Sequence, residues 1–323
     1  MSKRIQIPNT DLSIYPIGLG TVDAGLKWDG NEADKIFETY LSYGGNIIDC
    51  AHVYSDWVPG ETARAERVLG DWLQRSGKRN DIVLITKGGH PDMTGNHVDL
   101  HASRMSHRDM VKDLDESLSK LRTDHIDLYF YHRDDCRQSI EEEIETMEGF
   151  VNQGKIRYYG CSNWSADRMK AADEYCSKNG YRGFVADQSL FNIGMKYFKG
   201  LPDDTLAYTR GEAFQYHIEN ENNLEMPYMG NCSGFFHLFC GQGAEAVENS
   251  PYYTPGNVAV ASRMKILCEK YHCSITQCVL GFFFHQPFPC VPLYGPAVPE
   301  HIADACGTLD VPFTDDDYEW LLS

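Results

Sequence analysis

Four residues in this 323-residue chain are well suited to moving a proton beside a reacting carbon: Asp49, Tyr54, Lys87 and His132. Asp49 ends the apolar run "NIID", Lys87 ends "DIVLITK" and His132 ends "HIDLYFYH", while Tyr54 follows Asp49 within "DCAHVY". A phenol titrates near pH ~10, so it is a poor acid at neutral pH. A neighbouring ammonium favours the phenolate, so Lys87 is expected to lower the pKa of Tyr54. A buried lysine needs a counter-charge, which Asp49 can supply. His132 can hydrogen-bond a substrate oxygen or join the proton relay. Together these groups suit protonation of a carbonyl oxygen as hydride reaches its carbon, or the reverse reaction.

Such a set requires strands whose ends share one face. Apolar runs "GGNIIDCA", "DIVLITK", "HIDLYFYH", "KIRYYGCS" and "GFVADQS" read as buried parallel strands. Between them, "ETARAERVLGDWLQRSG", "SHRDMVKDLDESLSKLRT", "SIEEEIETMEGFVNQG" and "SADRMKAADEYCSKNG" carry apolar residues at helical spacing. The last two open on Ser, a good N-cap. With "IYPIGLG" as first strand, "LEMPYMG" as seventh and "CVPLYG" as eighth, the pattern predicts an α/β fold of the (β/α)8 TIM-barrel type. A doubly wound sheet fits less well, because "GLGTVDAG" is not the G-x-G-x-x-G turn. "RIQIPNTDLSIY" predicts an N-terminal β-hairpin turning at Asn9-Thr10-Asp11 and plugging the barrel's lower end. The polar, weakly periodic stretch 195–225 predicts an extended connection near the active face. Residues 1–323 are expected to form one barrel domain.

In such a barrel the strand C-terminal ends carry the chemistry. Ser162, Asn163 and Gln188 stand at further strand ends beside the four residues above. Gly88 and Gly89 are expected to keep the barrel mouth open next to Lys87. Trp57 and Trp164 lie just past strand ends, where aromatic faces can line a substrate pocket, and His52 is expected to pack at its rim. His90, His97, His101 and His107 crowd one region, yet their irregular spacing predicts a surface loop and no metal site. Glu141, Glu142 and Glu143 are expected to form a solvated first helical turn.

An apolar share of 42% supports a large core, and a formal charge of -18 argues against nucleic acid or anionic membrane as partners. "MSKRIQIPNTDLS" lacks the apolar core of a signal peptide, and "VLGFFFH" is too short to span a bilayer, so a cytoplasmic protein is expected. The eleven scattered cysteines form no CxxC pair and read as reduced thiols. Nothing in the sequence sets an oligomeric state.

In their order and spacing, "DCAHVY", "ITKGG", "LYFYHRDD", "GCSNW" and "ADQSLFN" resemble the aldo-keto reductases, from about Gly18 to the "LDVPFTDDD" tail. The resemblance implies reduction of aldehydes, ketones or sugar-like carbonyls, or oxidation of alcohols, with NADP or NAD. It implies Tyr54 as proton donor with Asp49, Lys87 and His132. It places Ser162, Asn163 and Gln188 at the carboxamide of the cofactor, Tyr228 against the nicotinamide ring, and Gly20, Thr21 and Gly295 along the cofactor. Two departures stand out. Met229, Gly230 and Asn231 replace the usual Ser-Pro-Leu-like loop, and no Lys or Arg follows Lys270 where relatives bind the 2'-phosphate of NADP. Weakened NADP preference and use of NAD are therefore expected. Two other readings compete: a cofactor-binding regulatory or sensor subunit of the same fold, and a barrel hydrolase or lyase with no nicotinamide, which would need paired carboxylates at strand ends.

Overall fold

The structure is a computed structural model that describes residues 4–323. A short antiparallel hairpin, β1 (Ile5–Gln6) and β2 (Ser13–Ile14), opens the described chain. It turns where expected, with Asn9 in the left-handed region at φ 55°. Parallel strands follow: β3 (Gly18–Gly20), β4 (Ile47–Asp49), β5 (Val83–Gly88), β6 (Ile126–Tyr131), β7 (Ile156–Ser162), β8 (Ala186–Gln188), β9 (Leu224–Glu225) and β10 (Leu293–Tyr294). The first helices are α1 (Gly30–Ser42), α2 (Arg64–Ser76), α3 (His107–Leu121), α4 (Ile140–Asn152) and α5 (Ala166–Asn179). Next come α6 (Glu212–Glu219), α7 (Phe235–Gln242), α8 (Pro255–Tyr271), α9 (Ile275–Gly281), α10 (Pro299–Cys306) and α11 (Asp315–Leu322).

The eight parallel strands lie in the order β10-β3-β4-β5-β6-β7-β8-β9. Val291 N donates to Glu225 O at 2.9 Å and Leu293 N to Pro227 O at 3.0 Å, so the two outer strands meet and the sheet curls into the (β/α)8 barrel. Inside it, Ile47, Ile85, Leu128, Phe130 and Leu224 form an apolar plug with Ile7, Leu12 and Ile14 of the hairpin segment. The hairpin therefore closes the lower end, as its sequence predicts. A second, larger core fills the layer between sheet and helices.

Local signals set the helices. Ser139 accepts from Glu142 N to start α4, and Ser165 accepts from Arg168 N to start α5. Glycines at positive φ stop α2 (Gly77, 69°) and α5 (Gly180, 73°).

Three expectations need correction. Glu143 is buried and pairs with Arg168, leaving only Glu141 and Glu142 as the solvated part of the first turn. Stretch 195–225 is not simply extended, because it folds α6 within it. Gly88 and Gly89 answer to packing behind the strand: a Cβ on Gly88 would lie 2.1 Å from Tyr129 Oη, and Gly89 has φ 80°.

Candidate active site

The ends of the barrel strands surround a cavity of about 910 Å³, which falls in the range that holds small organic ligands. Asp49 is the last residue of β4 and Lys87 lies one residue inside the end of β5. His132 directly follows β6, and Ser162 and Gln188 close β7 and β8. All five line the cavity, with Gly20, Thr21, Tyr54, Trp57, Asn163, Tyr228 and Gly295.

Lys87 is buried at the floor, its side chain 2% exposed. Its Nζ donates to Asp49 Oδ1 and Oδ2 at 2.8 and 2.7 Å, to Cys50 O at 2.8 Å, and to Tyr54 Oη at 3.1 Å. Tyr54 Oη in turn reaches Asp49 Oδ2 only at 3.4 Å, a weak bond. The phenol proton is thus free to face the cavity while its oxygen is held from behind. Gln188 Nε2 adds a bond to Asp49 Oδ1 at 2.8 Å, and Thr21 Oγ1 donates to Asp49 O at 2.9 Å.

The acid–base balance differs from the expected one. Burial, followed by the charge of Asp49, raises the Tyr54 pKa well above the ordinary phenol value. The bidentate contact with Asp49 neutralises the ammonium that was expected to lower it. The phenol is therefore held protonated, which suits a proton donor. Burial, with His90 and the Lys87 charge, holds His132 well below the usual imidazole range, so this ring is neutral at pH 7. His132 Nδ1 is buried and has no hydrogen-bond partner among the described residues. The His132 ring stands edge-on to Tyr54 with centroids 5.9 Å apart.

Asn163 sits at φ 64° and spends its amide inside the protein. Nδ2 donates to His132 O at 3.2 Å and Ser162 Oγ at 3.0 Å, while Oδ1 accepts from Ala207 N at 3.1 Å and Tyr228 Oη at 2.6 Å. Ser162 Oγ donates to Gln188 O at 2.7 Å. These bonds fix one polar wall of the cavity. At the far end the lining passes from Gly295 to Ala297, His301 and Asp304, next to Ile275 and Thr276 at the start of α9.

Two expected pocket residues lie elsewhere. Trp164 is fully buried, stacked on Tyr131 and donating from Nε1 to Arg133 O at 3.1 Å, so it is core. His52 turns away from the cavity and meets Glu116 Oε2 at 2.8 Å. Trp57, 43% exposed, does stand at the mouth.

Several lining residues escaped the sequence reading. His90 is buried rather than on a surface loop, its ring centroid 4.7 Å from that of His132. Burial and the Arg133 charge lower its pKa to about 4. Arg133 also lines the cavity, with Nη2 3.3 Å from Asp203 Oδ2. His90 and Arg133 lie two residues past the ends of β5 and β6, so position alone could have found them. Lys27, Met93 and Leu206 reach the cavity from loops, which no local pattern foretells.

Comparison with known proteins agrees with this fold. An aryl-alcohol dehydrogenase [NADP(+)] of Phanerodontia chrysosporium is 30% identical over 202 residues, covering 58% of this chain and 51% of that protein. Norsolorinic acid reductase B of Aspergillus parasiticus is 31% identical over 199 residues, 58% of this chain and 50% of that one. The chain thus spans about half the length of these two relatives. An aryl-alcohol dehydrogenase of Pestalotiopsis microspora aligns over 98% of this chain and 80% of its own length at 23% identity. The profile of the aldo/keto reductase family matches residues 16–199, more than half of the sequence, and the chain belongs to that family.

Proposed function

We propose that this protein transfers hydride between a nicotinamide cofactor and a carbonyl or alcohol substrate, with Tyr54 giving or taking the proton. One observation carries the reading: Lys87 Nζ bonds the Asp49 carboxylate and Tyr54 Oη at once, on the floor of the cavity.

A nicotinamide cofactor, when bound, supplies or accepts the hydride. Residues around the cavity fit such a group: Gln188 and Ser162 offer polar edges for its carboxamide, and the half-buried ring of Tyr228 offers a face. Asn163 acts by holding Tyr228 and the end of β7 in place. Gly20, Thr21 and Gly295 line the route past β3 and β10. Beyond it, Met229, Cys232, Ser233 and Gly234 all have positive φ, between 52° and 77°. This is a differently built loop at the place expected for the pyrophosphate.

In the reductive direction Tyr54 Oη gives its proton to the substrate oxygen. The phenolate left behind is held by Lys87 at 3.1 Å, and Asp49 keeps the lysine in place. Neutral His132 can donate to the same substrate oxygen and orient it. Trp57, Met93 and Leu206 make the mouth apolar, which suits a planar aryl carbonyl better than a sugar. The names of the aryl-alcohol dehydrogenase relatives support that substrate class.

At the far end of the cavity, Asp304 and His301 stand where a 2'-phosphate would need Arg or Lys, and Lys27, a cavity-lining cation, is paired with Asp23 at 2.9 Å. Reduced NADP preference follows. The test is a panel of aryl and aliphatic aldehydes and alcohols run with both cofactors. Turnover of aryl substrates supports the reading. Tight cofactor binding without turnover would favour a sensor, and no cofactor binding would sink both.

A further inference from the structure

Behind the barrel wall, away from the cavity, three ionisable side chains meet in a closed space. Asp187 of β8 and Glu225 of β9 are register partners on adjacent parallel strands, so their carboxylates stand side by side on one face of the sheet. His217 of α6 covers them, and all three side chains are at most 1% exposed. Like charges directly opposite one another weaken a sheet. A low-dielectric interior makes the juxtaposition worse unless a cation lies between them.

Hydrogen bonds divide each carboxylate into a held oxygen and a free one. Glu225 Oε1 accepts from Thr209 Oγ1 at 2.8 Å and Ser189 Oγ at 3.1 Å, and Asp187 Oδ1 accepts from Cys161 Sγ at 3.6 Å. The other two oxygens converge on His217 Nε2, Glu225 Oε2 at 2.9 Å and Asp187 Oδ2 at 3.5 Å. Neither contact is aligned as a hydrogen bond. His217 Nε2 and Glu225 Oε2 are buried without a hydrogen-bond partner among the described residues. One ligand atom from each residue lies within 4.8 Å of the other two. Around a tetrahedral ion with bonds of about 2.0–2.2 Å, neighbouring ligand atoms stand roughly 3.3–3.5 Å apart. Of the spacings to His217 Nε2, that to Asp187 Oδ2 at 3.5 Å meets this value and that to Glu225 Oε2 at 2.9 Å is shorter.

We infer that Asp187, His217 and Glu225 form a structural site for a divalent transition-metal ion of the zinc type. One imidazole and two carboxylates suit such an ion, and with a neutral imidazole its two positive charges cancel the two negative ones. Ser189, Thr209 and Cys161 fix the ligands from behind, as partners of metal-bound carboxylates do. The ion pins α6, and with it the 195–225 connection that carries Leu206 to the cavity, against β8 and β9. Because the ligands are closed to solvent, the ion enters as the chain folds.

The test uses the full chain expressed in minimal medium supplemented with cobalt(II), a spectroscopic stand-in for zinc. Metal content by mass spectrometry and the visible d–d absorption are measured after gel filtration. About one ion per chain, with a tetrahedral cobalt band, is expected for the unaltered protein. His217→Ala and Glu225→Gln should each lower metal content at least ~10-fold, while the exposed-site variant His97→Ala should leave it unchanged. Under a tenth of an equivalent and a featureless spectrum in the unaltered protein would overturn the inference, leaving a cluster bridged by protons alone. Full metal content in folded His217→Ala would overturn it too, by placing the ion elsewhere. If the variants fail to fold, the stoichiometry and spectrum of the unaltered protein decide.

Discussion

Gln188 donates through Nε2 to Asp49 Oδ1 at 2.8 Å, joining the end of β8 to the end of β4 across the barrel mouth. The same carboxylate holds Lys87, so the residues proposed to grip a cofactor and those proposed to move a proton share one anion. A shift in either is felt by the other.

Removing Lys87 should therefore be costly for folding as well as for turnover. Lys87→Met leaves Asp49 buried and without its counter-charge, and is expected to destabilise by about 3–5 kcal/mol in urea unfolding. The double variant Asp49→Asn/Lys87→Met should recover part of that loss while remaining inactive. Equal stability of Lys87→Met and the unaltered protein would contradict the geometry.

His90 sets an acid limit on stability. Its pKa falls from 6.5 to about 4 in the fold, because burial and Arg133 disfavour the imidazolium. Above pH 6.5 both folded and unfolded forms are neutral and the residue has no linkage effect. As pH drops from 6.5 towards 4, only the unfolded chain takes up the proton, so stability is lost across that window, by up to about 3 kcal/mol. Unfolding measured at both ends of the window should show His90→Gln losing less than the unaltered protein. Parallel losses would argue against a buried, neutral His90.

Two tryptophans that look alike in sequence should separate cleanly. Trp57→Ala is expected to change stability by less than about 0.5 kcal/mol yet to raise KM for an aryl aldehyde roughly tenfold. Trp164→Ala removes a fully buried ring and should cost about 3–5 kcal/mol. The opposite pattern in thermal unfolding and kinetics would move the pocket wall.

Cofactor choice follows from the far end of the cavity. With Ala297, His301 and Asp304 there, kcat/KM for NADH should lie within about tenfold of that for NADPH. His301→Arg should shift the ratio towards NADPH. A preference of several hundredfold for NADPH in the unaltered protein would show that Lys27 or the 229–234 loop holds the phosphate instead.

Much of this was legible in the sequence because a barrel puts its chemistry at strand ends. The runs ending on Asp49 and Lys87, and the one followed by His132, announced both strand and site, and Ser139 and Ser165 announced helix starts. What stayed hidden depends on through-space partners. Trp57 and Trp164 follow strands alike, yet only packing against Tyr131 and Phe184 makes the second one core. The direction of the Tyr54 shift is set first by burial and then by the charge of Asp49, which spacing cannot express. Asp187, His217 and Glu225 carry no motif, since a helix and two strands must fold before they meet.

The proposed mechanism stands on Tyr54 carrying the proton. Single-turnover reduction of an aryl aldehyde by Tyr54→Phe, with cofactor affinity measured alongside by fluorescence, tests it directly. A rate about 100- to 10,000-fold lower, with cofactor affinity nearly unchanged, is expected. A Tyr54→Phe enzyme that reduces the aldehyde at close to the original rate would contradict it.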